Sequence, residues 1–523
     1  MNLPLQPSDR RADATVGCVS VPETRTAIPA LVGSAASILL MALVASVPAS
    51  PFLPELAPGM APNGPFAWLA DTLGLDSLHG NALVALGLIA AALGVAALLV
   101  LLRQAWRGRI PLRAVVGLAV AAHVVVVLLP VLFSHDVYSY IAYGRIATAY
   151  HANPYVQTPV DFTADPILPL VGYKWVDTPA VYGPLFTGLS ALLARWVRSI
   201  PAFVTTFRLI AAAASLGTVA LIARTTRRER PARAAFAVAA FGLNPVILFQ
   251  SVGGGHNDLL LALGVAGAFA LVLRDRTLPA VAVLALAMMV KASAALPLLL
   301  LVVWVVTRRP EGTRWRAALT HGGLAALIGA AVSAPFLQTQ DPSLGMLELS
   351  GHEGWLAPSR LVRRALDFVS GDTLGVIARI GFAAALLICL VALARMLMRE
   401  HTPAAELGAA WAWSLVLLML LGPVLLPWYV AWSLPLVWLL PRVPRTVLIG
   451  TAAALALSQW TAEPSFYPGA YDANVLIGHY VLTPLVLVWA AWLLIDLRRR
   501  CRDGLPLGPE AEAAEVAAAA RKD

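Results

Sequence analysis

Long apolar segments separated by short arginine-rich connections are the feature that most limits how this chain can fold. They recur over nearly all of the region 27–495, and many approach the roughly 20 residues that an α-helix needs to cross a bilayer. Only 13% of the residues are charged, whereas a soluble domain carries roughly 25%. Such a composition cannot cover a large water-facing surface. The sequence therefore predicts an all-α, polytopic integral membrane protein without a separate soluble domain.

The arginine clusters predict the orientation of the spans. They lie in alternate connections, for example 103–113 and 224–233, and the positive-inside rule places these connections in the cytoplasm. The apolar run 278–306 has arginines at both ends, so we expect a hairpin that turns near Lys291. With this hairpin, and with the run 429–440 counted as a span, the chain has about 12 to 14 crossings and cytoplasmic ends.

The same topology divides the chain into three parts. Residues 1–26 and 501–523 are predicted cytoplasmic tails, and 27–500 is a single transmembrane domain. Two large loops, 133–201 and 337–373, are predicted on the extracytoplasmic side of the membrane, and the polar and aromatic residues are concentrated there. We expect the chemistry of the protein on this extracytoplasmic side.

Charge and cysteine content exclude other classes. The net charge of +9 comes from the short arginine clusters, which act as orientation signals, so a nucleic-acid partner is not expected. The three cysteines have no metal-ligand spacing. No metal site, nucleotide-binding fingerprint or nucleophile elbow is present, and no cofactor is expected.

The sharpest motif is Ser-His-Asp-Val-Tyr-Ser-Tyr at 134–140, where an apolar span emerges on the outer side. A carboxylate at this boundary is costly unless it is paired or hydrated. Asp136 is therefore a candidate general base, but it could equally be the N-cap of the next helix. Tyr140 would lie on the same helix face as Asp136.

A second motif is the Gly-Gly-Gly-His-Asn-Asp loop at 253–258. Glycines allow backbone amides to approach a ligand, and the start of the following helix favours an anion. His256, Asn257 and Asp258 could therefore hold a phosphate or a sugar. The alternative is a flexible turn with a helix cap.

Two cationic residues lie inside apolar runs. Lys291 is one of only three lysines in the chain, and Arg208 lies a few residues into its span. An ionisable group at that depth is a functional candidate, here for a phosphate. The alternative for both is that the side chain reaches the outer headgroups.

Four aromatic residues, Tyr182, Trp355, Trp428 and Tyr429, occupy outer loops or span ends. Tyrosine and tryptophan collect at membrane interfaces in any case. Their rings would also suit stacking on a sugar face.

Together these motifs resemble a known family, the actinobacterial polyprenol-phosphate-mannose-dependent alpha-1,6-mannosyltransferases of lipomannan and lipoarabinomannan assembly, which are GT-C class membrane glycosyltransferases. The resemblance covers about 27–500. It is carried by the 134–140 motif, Asn153-Pro154-Tyr155, Tyr182-Gly183-Pro184, Asn244-Pro245 and the 253–258 loop.

The resemblance implies a GT-C-type fold and a catalytic base, which maps onto Asp136. It also implies a polyprenyl phosphate sugar donor, a glycolipid or glycan acceptor and no required metal. The donor phosphate would meet cations, for which the candidates are Lys291, His256, Arg208 and Arg360. The sugar or the acceptor would contact His135, Tyr140, Asn257, Asp258, Tyr182, Trp355, Trp428 and Tyr429.

Two alternatives remain open from the sequence. One is a flippase or transporter of a lipid-linked sugar, although the paired repeats and mid-membrane charges typical of transporters are not evident. The other is the same enzyme class acting on another polyprenyl-linked sugar, such as glucose or arabinose.

Overall fold

A computed structural model describes residues 27–337, 344–346, 353–354, 356–370, 372–399 and 402–510. Helices make up most of this part of the chain, and no strand occurs in it. The predicted tail 1–26, residues 511–523 of the predicted tail 501–523, and residues 338–343, 347–352, Trp355 and 371 of the loop 337–373 lie outside the described residues.

The α-helices of the first part of the chain lead up to the glycine-rich loop and the helix after it. They are α1 Ala27–Ala45, α2 Pro65–Thr72, α3 Gly80–Trp106, α4 Leu112–Val127, α5 Asp136–Ala149, α6 Pro184–Trp196, α7 Ile200–Glu229, α8 Ala234–Gly242 and α9 Asp258–Val272.

The remaining α-helices begin with the hairpin. They are α10 Thr277–Met288, α11 Ala295–Thr307, α12 Arg314–Ser333, α13 Pro358–Ser370, α14 Asp372–Leu397, α15 Ala404–Leu421, α16 Arg442–Ala456, α17 Pro468–Ile477 and α18 Thr483–Asp503.

Shorter helical turns join these elements. The π-helical segments are Val246–Val252 and Gly478–Leu482. The 3-10 segments are Leu75–Ser77, Pro159–Asp161, Leu168–Leu170, Pro231–Arg233, Ala292–Ala294, Glu311–Thr313, Ala334–Phe336, Pro427–Trp432 and Leu434–Leu439.

Eight helical segments of the described ranges are long and apolar enough to cross a membrane, and four shorter apolar helices accompany them. The protein is therefore an all-α, multi-pass membrane protein. Its outer helices carry apolar side chains that no other part of the described chain covers, such as Ile380 and Ile388 on α14. In a bilayer these side chains face lipid.

The hairpin predicted at Lys291 is confirmed. Helices α10 and α11 have 12 and 13 residues, too short for untilted spans, and the 3-10 turn Ala292–Ala294 joins them directly after Lys291. The arginine clusters before α10 and after α11 therefore lie at the same end of the hairpin.

The prediction of an α-helical span at 429–440 is wrong. This run forms the 3-10 segments Pro427–Trp432 and Leu434–Leu439, whose side chains are all buried. Prolines remove the N–H donors that a continuous α-helix needs. Hydrophobicity alone does not distinguish a segment that is surrounded by lipid from one that is buried in protein. This run lies in the protein core, packed against α9 and α15.

Candidate functional site

A strained corner presents Asp136 at the start of α5. Phe133 has a left-handed backbone with φ of 63°, which is uncommon outside glycine. Its N–H donates to the Phe52 carbonyl at 2.8 Å, and its own carbonyl accepts from Gln459 Nε2 at 2.6 Å. Hydrogen bonds to two distant segments therefore hold the turn that aims the carboxylate.

The carboxylate of Asp136 lies between two polar rings. His256 Nδ1 is 3.4 Å from Asp136 Oδ2, and the side chains are 0% and 21% exposed. The Tyr182 hydroxyl donates to the same oxygen at 3.5 Å, a long hydrogen bond. Asp136 is thus both anchored and open to a ligand.

Burial acts to raise the pKa of the Asp136 carboxyl, but neighbouring groups outweigh it. His256, the Lys291 ammonium and the Ser134 hydroxyl together hold this pKa below its ordinary value. The carboxylate is therefore ionised at neutral pH, as a proton acceptor must be.

The glycine-rich loop brings His256 under an aromatic ring. Gly255 has φ of 73°, and a Cβ on Gly254 would lie 2.8 Å from the His256 ring, so the turn requires small residues. The imidazole stacks on Trp428 with ring centroids 3.7 Å apart. This stacking fixes the plane of the imidazole beside Asp136.

Lys291 and Asp258 form an ion pair within an aromatic frame. Lys291 Nζ donates to Asp258 Oδ1 at 2.8 Å, and Trp432 Nε1 donates to the same oxygen at 2.6 Å. The ammonium also lies 4.7 Å from the centroid of the Tyr429 ring. Since an ammonium has three donors, Lys291 retains hydrogen-bonding capacity for an anion.

The segment of Tyr182 is fastened to the hairpin by its backbone. The Gly183 N–H donates to the Val290 carbonyl, and the Leu185 N–H donates to the Met289 carbonyl, both at 3.0 Å. A Cβ on Gly183 would collide with the Met289 carbonyl. This close approach brings Tyr182 and Lys291 to the same region.

We expect Gly183→Ala to lower the free energy of unfolding by about 1–3 kcal/mol, because the added methyl group overpacks a backbone contact. Gly188→Ala is the matched control: Gly188 lies in α6, and its added Cβ would meet only the Phe336 ring, at 4.0 Å. Thermal unfolding of both variants in detergent is the measurement. Equal melting temperatures would contradict the importance of this contact.

A cavity of about 400 Å³ opens in front of Asp136. Its lining combines carboxylates, aromatic rings and amides, as sugar-binding sites do. The polar and aromatic lining residues are Glu55, Phe133, Ser134, His135, Asp136, Tyr173, Lys174, Trp175, Trp428, Ser458, Gln459, Thr461, Glu463, Tyr471 and Asn474.

Several buried polar atoms of residues near Asp136, none of which lines this cavity, have no hydrogen-bond partner among the described residues. They are the Tyr140 hydroxyl, His256 Nε2, both amide atoms of Asn257, and Asp258 Oδ2. Buried polar atoms are normally paired. A cluster of unpaired donors and acceptors is therefore a candidate contact for a polar ligand.

The other predicted site residues are placed differently. Arg208 donates to the Val126 and Leu129 carbonyls at 2.6 Å each, so it caps the end of α4. Arg360 is on α13, near Tyr471 but outside the cavity lining. Tyr140 packs edge-on against Tyr182, with centroids 4.9 Å apart.

The sequence did not point to several cavity residues. Glu463 Oε2 lies 3.3 Å from His135 Nε2, and burial, partly opposed by Glu463, lowers the pKa of this histidine. Glu463 and Gln459 follow α16, far from the motif at 134–140 in sequence. The sequence shows the carboxylate of Glu463 and the amide of Gln459, but no pattern in the neighbouring residues indicated that this loop reaches Asp136.

An apolar groove of about 500 Å³ runs beside the site. Helices α6, α7, α9 and α10 form it. At one end it reaches Val290, next to Lys291, and Phe186, whose ring lies 5.8 Å from that of Tyr182. The groove thus leads from the hydrophobic surface of the protein toward the ion pair.

Comparison with known proteins identifies the family. The family described as alpha-(1->6)-mannopyranosyltransferase, N-terminal domain, matches residues 30–308, which is more than half of the chain. The chain belongs to this family. The resemblance inferred from the sequence motifs is therefore confirmed, and the protein is a glycosyltransferase of the mannosyltransferase class.

Two curated relatives extend the match. Alpha-(1->6)-mannopyranosyltransferase A of Mycobacterium tuberculosis is 29% identical over 386 residues, which are 69% of this chain and 71% of that protein. The protein of the same name from Corynebacterium glutamicum is 25% identical over 342 residues, 62% of this chain and 63% of its own length.

Proposed function

We propose that the protein transfers mannose from polyprenyl phosphate mannose to a mannan or glycolipid acceptor, in α-1,6 linkage and with inversion, on the extracytoplasmic face of the membrane. One observation carries the proposal. A partly exposed, ionised Asp136 faces a polar cavity on one side and has a lysine and an apolar groove near it on the other.

In the proposed reaction Asp136 removes the proton from an acceptor hydroxyl. The oxygen attacks the anomeric carbon of mannose, and the bond to the phosphate breaks with its electron pair on the leaving phosphate. Displacement of a β-linked phosphate in one step gives an α-linked product. Asp136 then returns its proton to solvent through the open cavity.

The donor phosphate is assigned to Lys291 and His256. Lys291 keeps donors beyond its bond to Asp258, and His256 lies beside Asp136. Positive charge at this point would stabilise the departing phosphate in the transition state. Arg208 is not assigned to the phosphate, because two of its donors already serve the carbonyls of α4.

The polyprenyl chain is assigned to the apolar groove, the acceptor to the cavity, and the transferred mannose to the region between them. The unpaired atoms of Tyr140 and Asn257 would bond the transferred mannose. Trp428, His135 and Glu463 at the cavity wall would contact the acceptor. The family favours this enzyme over the flippase alternative, since the matched proteins are named as transferases.

A donor panel tests the proposal. The purified protein is given polyprenyl phosphate mannose, polyprenyl phosphate glucose, polyprenyl phosphate arabinose or GDP-mannose, with an α-mannan acceptor, and product linkages are determined. We expect α-1,6-mannosyl product from the first donor alone. Equal turnover of GDP-mannose would overturn the lipid donor, and preference for glucose or arabinose would overturn the sugar.

A groove variant tests the position of the lipid chain. Leu286→Trp fills the groove, and we expect the KM for the polyprenyl donor to rise about tenfold, since obstruction of an apolar pocket costs about 1–3 kcal/mol. Leu387→Trp, at an exposed position of α14, is the matched control and should leave KM unchanged. An unchanged KM in both variants would place the chain elsewhere.

A further inference from the structure

A second cavity lies at the start of α4, at the other end of this helix from the corner that presents Asp136. It is an open pocket of about 1130 Å³ between the start of α4 and the end of α7. Helix α4 runs from this cavity toward the corner that presents Asp136, and its 16 residues span about 24 Å. The cavity and the candidate active site are therefore separated by most of the membrane thickness.

Four arginines line this cavity, which we call the basic pocket: Arg113, Arg224, Arg227 and Arg228. All four are exposed. Within the described ranges none of them forms an ion pair, and Glu229, the next residue along α7, does not pair with them. Four like charges around one cavity repel each other unless an anion lies among them.

The start of α4 adds to the attraction for an anion. Pro111 and Leu112 line the basic pocket, so the first N–H groups of α4 lie at its edge. These groups have no partner within a helix, and together with the helix dipole they favour a negative group.

The floor of the basic pocket is apolar and small. Val116 and Gly117 of α4, with Ala220 and Ala223 of α7, form it, and nothing lies within 4 Å of a Cβ placed on Gly117. These residues continue into the membrane from the charged rim. A ligand that fits both parts has an anionic head and an apolar chain.

We propose that the basic pocket binds an anionic phospholipid of the cytoplasmic leaflet, with its phosphate among the four arginines and an acyl chain along α4 and α7. A juxtamembrane arginine contributes about 1 kcal/mol to attraction of anionic lipid. The basic pocket places four arginines at the start of α4, beside a floor that lipid can reach. It therefore favours a lipid over a free anion.

The test measures binding of dioleoylphosphatidylglycerol to the purified full chain in nonionic detergent, with dioleoylphosphatidylcholine and inorganic phosphate as comparisons. Native mass spectrometry gives the dissociation constants. We expect Arg113→Gln/Arg224→Gln/Arg227→Gln to weaken phosphatidylglycerol binding by about tenfold or more. The control Arg107→Gln/Arg309→Gln/Arg498→Gln removes the same charge outside the basic pocket and should change binding by less than about threefold.

Three results would overturn the proposal: equal weakening in the two triple variants, equal binding of phosphatidylcholine, or equally tight binding of inorganic phosphate alone. If the pocket variant does not fold, the salt dependence of the unmodified protein decides. Phosphatidylglycerol binding should weaken between about 0.05 M and 0.5 M NaCl, because salt screens exposed charges. Binding unaffected by salt would also overturn the proposal.

Discussion

Replacement of Asp136 by asparagine should reduce mannosyl transfer by about 10²- to 10⁴-fold, the usual contribution of a general base. Asparagine keeps the size of the side chain and an acceptor for the Tyr182 hydroxyl, but it cannot take a proton. The rate of product formation in proteoliposomes measures the effect. We expect the KM for the donor to change little, because the proposed donor contacts lie on Lys291 and His256.

Asp177→Asn is the matched control for this variant, since Asp177 is an exposed aspartate of the same loop, and its activity should be normal. The pH profile gives a second readout. Because the pKa of Asp136 lies below its ordinary value, activity should be lost to protonation only at a pH more acidic than the one that protonates an ordinary aspartate. Full activity of Asp136→Asn with loss in Glu463→Gln would move the base to Glu463.

Breaking the Lys291–Asp258 pair should have the largest effect on stability. Asp258 is 1% exposed and Lys291 12%, so Asp258→Ala leaves an ammonium without its counter-ion in a desolvated place. We expect the free energy of unfolding to fall by about 3–5 kcal/mol. Denaturant unfolding in detergent micelles, followed by tryptophan fluorescence, measures the change.

The double variant Asp258→Leu/Lys291→Met separates stability from catalysis. Removal of both charges lowers the free energy of unfolding far less than removal of one. The double variant should therefore unfold at nearly the same denaturant concentration as the unmodified protein. If Lys291 binds the donor phosphate, the double variant remains inactive although it is stable. An active, stable double variant would leave the ion pair with a structural role alone.

The parts of the fold that follow from local pattern were predictable. The hairpin at Lys291 was forced by arginines at both ends of one apolar run. The position of Asp136 at the end of an apolar span was predictable, because the span is followed by polar residues there. In both cases neighbouring residues in the sequence carried the signal.

Contacts between distant segments were not predictable. Trp432 donates to Asp258 across 174 residues, and Gln459 donates to Phe133 across 326. Arg208 shows the same limit. Its position inside a span suggested a phosphate ligand or a side chain reaching the headgroups, yet it caps α4, because only the packing of α7 on α4 reveals the free carbonyls.

The wall of the cavity opposite Asp136 limits which fragments of the protein can contain a whole site. The family match ends at residue 308, but Trp428, Gln459 and Glu463 all come later in the chain. A fragment cut at the end of the matched region would keep the carboxylate and lose the surface opposite it. If Asp136 is the base, a fragment that ends at residue 308 should be inactive, because the proposed acceptor surface is missing from it.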